Sequence, residues 1–334
     1  MSLISYDITD NFNKIIKELI SDGELTELDH KVIRYLKYIN ENKNKYPLPT
    51  KLKIITRSTA ARFYYTDESL FTEIERVATL LYNDITKKTK NKIIANVIGM
   101  QYKDYEFNYL KKKKKIKKNQ FYNCFSVKIK ATPNSTVNMK FFNNGSITMT
   151  GCIEDDSAKN ALNTMIAYLK YHVKKFDNPE KIKTIGHKDL RTTMINNNFC
   201  LNFNINRNKL YTLLKDNYEL FISYEPEKYQ AVKVSYMFNK SNKYTDGICY
   251  CKKKCKGKGW GLEDGDCKRV TIAIFQSGNI GINGSRTIEQ IEEVYNFINT
   301  IMKEHYSEVI RFSILDIDKY DTPPKKVKLK IKKV

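Results

Sequence analysis

The chain has 334 residues, enough to bury a large core in one or two domains. Lys and Arg outnumber Asp and Glu by 59 to 37, and the formal charge of +22 favours a polyanionic partner, nucleic acid ahead of a membrane surface. No run of about 18 apolar residues is present, and Met1–Tyr6 does not open a signal peptide. No membrane span is therefore expected, and the seven cysteines are expected as thiols or metal ligands in an intracellular, reducing setting.

Residues 1–50 read as an N-terminal helical extension. One amphipathic helix carries Phe12, Ile15, Ile16, Leu19 and Ile20, a second carries Leu28, Val32, Ile33, Leu36 and Ile39, and Pro47-Leu48-Pro49 ends the segment. Residues 51–64 alternate like a strand. Leu70, Ile74, Val77, Leu80 and Leu81 then mark a helix. Residues 84–120 read as an irregular, Lys-rich insertion ending in Lys111–Lys115 and Lys117–Lys118, a solvated run able to touch phosphates. Residues 121–130 form a strand. A hairpin follows, with Val137, Met139 and Phe141 on the core face and Asn138, Lys140 and Phe142 on the other. After a Gly145 turn, Ile147 and Met149 point in and Ser146, Thr148 and Thr150 point out. Gly151 leads into a helix with Leu162, Met165, Ile166 and Leu169 on its buried side.

The same pattern returns. Residues 190–203 are strand-like, Leu210, Leu213 and Leu214 mark a short helix, and residues 223–238 alternate through Val232, Val234, Tyr236 and Phe238. Val270, Ile272 and Ile274 then form one side of a hairpin strand, and Ile280 and Ile282 line the next strand after a Gly278 turn. Ile288, Ile291, Tyr295, Ile298 and Met302 recur at helical spacing. Phe142 to Phe275, Gly145 to Gly278 and Gly151 to Gly284 are each 133 residues apart. A period this long, present twice, points to a duplicated half-domain, 51–180 and 181–312. Phe142 and Phe275 fall on the small, polar face of their hairpins, away from the helix, where a large ring seeks a partner. Residues 313–334 form a basic tail.

The halves differ in one place. Phe121 to Phe142 spans 21 residues and Tyr229 to Phe275 spans 46. The excess lies in an insertion, 239–268, holding Cys249, Cys251, Cys255 and Cys267 among Gly257, Gly259, Gly261 and Gly265. Four thiolates in a turn-rich loop suit a tetrahedral structural Zn²⁺, with free or redox-active thiols as the alternative. Cys124, Cys152 and Cys200 read as ordinary strand or core residues.

Several stretches resemble the TATA-box-binding protein (TBP) family, in the divergent form that large DNA viruses carry. They are Ser223–Pro226 (SYEP) with Tyr229 behind it, Ile274–Gly278 (IFQSG), Asn283–Arg286 (NGSR), Phe141–Gly145 (FFNNG) and Thr150–Gly151. The resemblance covers about residues 51–305. It implies an α+β saddle: one curved antiparallel sheet built from two pseudo-symmetric repeats, with helices on the convex face. It also implies a concave face that binds and bends double-stranded DNA, preferably A·T-rich promoter DNA, by pushing aromatic wedges into the minor groove. Phe142 and Phe275 match wedge positions, with Tyr229 and Phe121 as their partners. Thr150 and Asn283 match groove-facing positions, and Arg286 matches a phosphate-contacting position whose face Lys140 shares. Ile153 stands at the basic position of the first half. Asn196–Asn198 offer one of the central asparagines, and residues 52–59 offer none.

By the same resemblance the protein is a monomeric transcription-initiation factor that recruits a TFIIB-like factor and RNA polymerase, in a host cytoplasm, viral factory or virion, or otherwise in a nucleus. It is expected to catalyse nothing. A binding module without sequence preference is the alternative, separable by footprinting. A glycosylase-type enzyme on the same fold is the other, separable by base release, although no catalytic motif supports it.

Overall fold

The computed structural model describes residues 45–87, 92–103, 105–108 and 124–311, with the isolated positions 26, 30, 33 and 34. The N-terminal helices, the Lys111–Lys118 run, Phe121 and the 313–334 tail expected above lie outside or almost outside these residues. Alternation of apolar and polar side chains sets the strands. They are β1 (Lys53–Tyr64), β2 (Val97–Tyr102), β3 (Tyr105–Asn108), β4 (Cys124–Lys130), β5 (Thr136–Phe142), β6 (Ser146–Thr150), β7 (Gly186–Cys200), β8 (Phe221–Glu225), β9 (Tyr229–Phe238), β10 (Lys268–Ile274) and β11 (Asn279–Ser285). The helices are α1 (Ile74–Thr86), α2 (Ser157–Tyr171), α3 (Pro179–Lys183), α4 (Arg207–Asn217), α5 (Ile288–Glu304) and α6 (Tyr306–Val309).

All eleven strands join one curved antiparallel sheet, in the order β3-β2-β4-β5-β6-β1-β7-β11-β10-β9-β8. The fold is an α+β saddle. β1 and β7 meet at the centre, and each continues outward through its own hairpin: β6, β5, β4, β2 on one side and β11, β10, β9, β8 on the other. β3 adds an edge strand to the first side. Three register shifts interrupt the β1–β7 ladder, and such irregularities bend and twist a sheet locally.

The helices cover one face. α1 packs on β2, β3 and β4, α2 on β5, α4 on β8 and β9, and α5 on β10 and β11. Each side has its own apolar core. Val127, Met139, Phe141, Met149, Leu162 and Met165 belong to the first. Val234, Ile272, Ile282, Val294, Ile298 and Met302 belong to the second. Each such side chain, fully buried, contributes roughly 1.5–3 kcal/mol. That burial holds the helices in place. α1 and α2 are also joined by a polar staple, because the Tyr168 hydroxyl donates to Asp84 Oδ2 at 3.0 Å and His172 Nε2 lies 2.7 Å from the same oxygen.

The tight turns follow from glycine. Gly145 and Gly278 open the return strands with φ of +73° and +78°, and Gly151 and Gly284 sit at +84° and +90°. These are the positions 133 residues apart, and only glycine adopts such φ values freely.

Four local readings differ from the sequence expectation, the first being Leu70, which precedes α1 and bridges Tyr64 instead of joining the helix. Within 84–120, expected to be irregular, Lys92–Asn96 is a 3₁₀ turn and β2 and β3 are strands. Short edge strands flanked by charge carry little periodic signal. Residues 223–238 are not one strand, because Glu225 turns back to pair with Tyr229 and separates β8 from β9. Ile288, expected in the core, is the first residue of α5 and is exposed.

Candidate nucleic-acid interface

The face opposite the helices is paved by the alternate residues of each strand. Its rows follow from the strand register. On the first side, Lys128 faces Asn138, Asn138 faces Thr150, Thr150 faces Ser58 and Ser58 faces Met194. The neighbouring row runs Ser126, Lys140, Thr148, Ala60 and Arg191. On the second side, Ser235 faces Thr271 and Thr271 faces Asn283, while Lys233, Ala273, Gly281, Asn198 and Lys53 form the next row. Small, amide and cationic residues dominate. Lys128, Arg191, Asn198 and Thr150 are exposed, and Lys140 and Asn283 are half-buried.

The large rings stand at the outer end of this face. Phe275 follows β10 directly, and its ring meets that of Tyr229 edge-on at 5.8 Å between centroids. Lys233 Nζ sits 4.0 Å from the centre of the Tyr229 ring. Phe275 is half-buried and Tyr229 is 39% exposed, so the pair is neither sealed in the core nor free in water. Phe142 ends β5 opposite Cys124 and is likewise half-buried. Phe121 lies outside the described residues.

Arg286 sits differently from the expectation of a free phosphate contact. Its guanidinium stacks 4.5 Å above the Trp260 ring and donates to the Gly259 carbonyl at 2.7 Å. It holds the cysteine insertion against the start of α5. Gln290 completes that joint by donating to the Trp260 carbonyl at 2.9 Å and accepting from the Arg286 N–H at 2.7 Å. Of the asparagines at 196–198, Asn198 is exposed on the open face. Asn196 Oδ1 accepts from the Gly284 N–H at 3.1 Å, and Asn197 turns into the core. Lys128, Arg191 and Lys233 were not singled out from sequence. Counting alternation outward from Val127 and Val234 places Lys128 and Lys233 on this face.

The four insertion cysteines converge. All four sulfurs lie within 4.8 Å of one another, with Cys251–Cys267 at 3.3 Å and Cys249–Cys267 at 3.6 Å. A tetrahedral zinc with bonds of about 2.3 Å needs sulfurs about 3.8 Å apart, so the donor set fits the ion. None of the four is in a disulfide. Asn239 Nδ2 donates to Cys267 Sγ at 3.4 Å and reaches Cys251 Sγ at 3.8 Å, the kind of outer hydrogen bond that orients metal-bound thiolates. Burial pushes the Cys255 thiol up, but N–H groups of Gly257 and Cys267 outweigh it and hold this thiol below the usual range.

No model of a known protein family matches the chain. A "TATA-box-binding protein-like" protein of Acanthamoeba polyphaga mimivirus is 28% identical over 212 residues, 60% of this chain. The chain is similar to this viral TBP-like protein. The matched region is 53% of the viral relative's length, so the chain spans about half of it. Among solved structures, Methanococcus jannaschii TBP aligns over 76% of this chain and 99% of its own, at 14% identity and a TM-score of 0.40. No helix among the described residues is long and apolar enough to cross a membrane.

Proposed function

We propose that the chain is a transcription-initiation factor that binds and bends double-stranded DNA through the open face of its saddle. The observation that carries this reading is the Tyr229–Phe275 ring pair on a face otherwise made of small, amide and cationic side chains. Phe142 stands at the equivalent place on the other side. In the resemblance-based mechanism these rings enter base steps of the minor groove. Unstacking costs a few kcal/mol per step, offset by the wider contact a bent duplex makes. Thr150 and Asn283 face the groove, and Lys140 with Lys128, Arg191 and Lys233 neutralise phosphates, so affinity falls steeply with salt. A·T-rich duplexes are preferred because their TA steps kink readily and their minor groove lacks the guanine amino group. The bent complex would then recruit a TFIIB-like factor and RNA polymerase, inside a cell or viral factory, with the protein as a monomer.

The two strand runs and the 133-residue offset are read as a duplication, 51–180 and 181–312. Register refines the remaining wedge. Phe125 faces Phe141 as Val232 faces Ile274. Tyr229 precedes Val232 by three residues, and three residues before Phe125 is Tyr122. Tyr122 therefore joins Phe121 as a candidate partner of Phe142. Zinc, held by Cys249, Cys251, Cys255 and Cys267, is the proposed structural ion.

Gel shifts over a salt series test the reading. An A·T-rich duplex should bind more tightly than a G·C-rich one, and equal affinity would remove the sequence preference. One observation favours that second outcome: Met194, which cannot hydrogen-bond a base edge, is 38% exposed at the centre of the face, opposite Ser58. Footprinting then separates a defined site from uniform protection.

A further inference from the structure

Between β9 and β10 the cysteine insertion forms a compact loop at the strand ends remote from the Tyr229–Phe275 pair. We propose that this loop is a second, preformed contact for the DNA backbone, in which Lys254, Lys256, Lys258 and Arg269 grip phosphodiester groups beside the groove. The proposal rests on the DNA-binding reading above.

Position is the first argument. Arg269 and Met237 face each other in the β9–β10 ladder, two residues on from Thr271 and Ser235, so they share the open face. Gly257 lies directly on them. Its carbonyl accepts from the Arg269 N–H at 2.9 Å, and a Cβ at Gly257 would come within 2.9 Å of both Arg269 Cβ and Met237 Cε. Lys258 pairs with Lys268 in an isolated bridge. The open face therefore continues from the ring pair through Lys233 and Arg269 into the loop, a run of about 20 Å along the six residues from Phe275 to Arg269.

Charge is the second. Two of the loop's acids, Asp264 and Asp266, are turned to its own backbone, while Glu263 stays exposed. Asp264 accepts from the N–H groups of Lys252 at 2.7 Å and Lys253 at 3.2 Å, and Asp266 accepts from those of Trp260 at 3.0 Å and Leu262 at 3.2 Å. Lys254, Lys256, Lys258 and Arg269 are exposed. Among the described residues none of the four makes an ion pair. Cations pointing outward, in excess over the one acid left exposed, suit a polyanion.

Rigidity is the third. The cysteine cluster, the Arg286–Gly259 and Gln290–Trp260 bonds, and the Lys240 N–H to Gly261 carbonyl bond at 2.8 Å fix the loop on the sheet before any ligand arrives. A preformed site avoids the ordering cost that a mobile basic segment meets on binding.

The test is a Lys254→Ala/Lys256→Ala/Lys258→Ala variant of the full chain, with a Lys→Arg triple as control. Metal content, DNA bend and affinity for an A·T-rich duplex are followed from 50 to 300 mM salt. The plot of log affinity against log salt should flatten by about 0.9 for each phosphate that is no longer neutralised. Metal content and bend should stay unchanged, and the Arg variant should keep the parent slope. An unchanged slope in the Ala variant would overturn the proposal. So would loss of metal in that variant, which would assign the lysines to balancing the thiolate charge. A parent protein that binds no duplex at all would overturn the DNA-binding reading as well, whereas the first two results leave that reading standing.

Discussion

Gly151 and Gly278 each allow a close backbone approach that no other residue permits. A Cβ at Gly151 would lie 2.4 Å from the Thr136 carbonyl oxygen, and one at Gly278 would lie 2.2 Å from that of Phe203. Gly284 shares the positive φ but has only the Arg269 carbonyl oxygen nearby, at 3.7 Å. Gly284→Ala should therefore cost only the conformational penalty, about 1–3 kcal/mol. Gly151→Ala and Gly278→Ala should cost measurably more, by chemical denaturation. Equal losses at all three would show that the close approach is not what fixes these glycines. Arg286 offers a second test, because Trp260, under its guanidinium, is the only tryptophan in the chain. Arg286→Ala should shift tryptophan emission to the red, and so should a zinc chelator added to the parent. Emission unchanged in both cases would separate Trp260 from the cysteine cluster.

Among elements, the α1–α2 staple is the most exposed to a single change. The Tyr168 ring is 1% exposed and its hydroxyl donates to Asp84. Asp84→Ala leaves that buried hydroxyl and His172 without their acceptor and should cost about 1–3 kcal/mol. Tyr168→Phe removes donor and need together and should cost less. The opposite ranking in denaturant midpoints would refute the staple. The hairpins, the long helices and the faces of Phe142 and Phe275 were legible in the sequence. Alternation in Val137–Phe141 and Val270–Ile274, and helical spacing after them, left little choice of register. β2, β3 and the β8–β9 break were not legible, because they are short, lie at or near sheet edges and take their conformation from pairing with distant residues. The two contacts that the Arg286 guanidinium makes, a hydrogen bond to Gly259 and stacking on Trp260, were equally invisible, since the loop that receives them lies outside the strand pattern. The cysteine cluster was legible as a donor set from spacing and glycine content, but the hydrogen bonds it receives from Asn239 are marked by no spacing rule.

For the molecule as a whole, the β1–β7 ladder joins the two sides, each with its own core. Buried phenols give the whole structure an alkaline limit. Burial raises Tyr46 to about 12, and burial also raises Tyr168 and Tyr236, each further supported by a carboxylate neighbour. A group whose folded pKa lies above its unfolded value of about 10 stabilises fully below pH 10. That contribution is lost as pH rises toward 12. Thermal melting should thus hold level from pH 8 to 9.5 and fall steeply beyond pH 10. A flat profile to pH 12 would mean that these rings are accessible to water. At the same scale lies the functional claim, that rings at 142 and 275, set on an open sheet face, wedge into a duplex and bend it. Fluorescence energy transfer between dyes at the two ends of an A·T-rich duplex measures this directly. The parent protein should bring the ends together, and the Phe142→Ala/Phe275→Ala variant, with unchanged thermal stability, should bind more weakly and leave the duplex nearly straight. Equal bending by variant and parent would contradict the account.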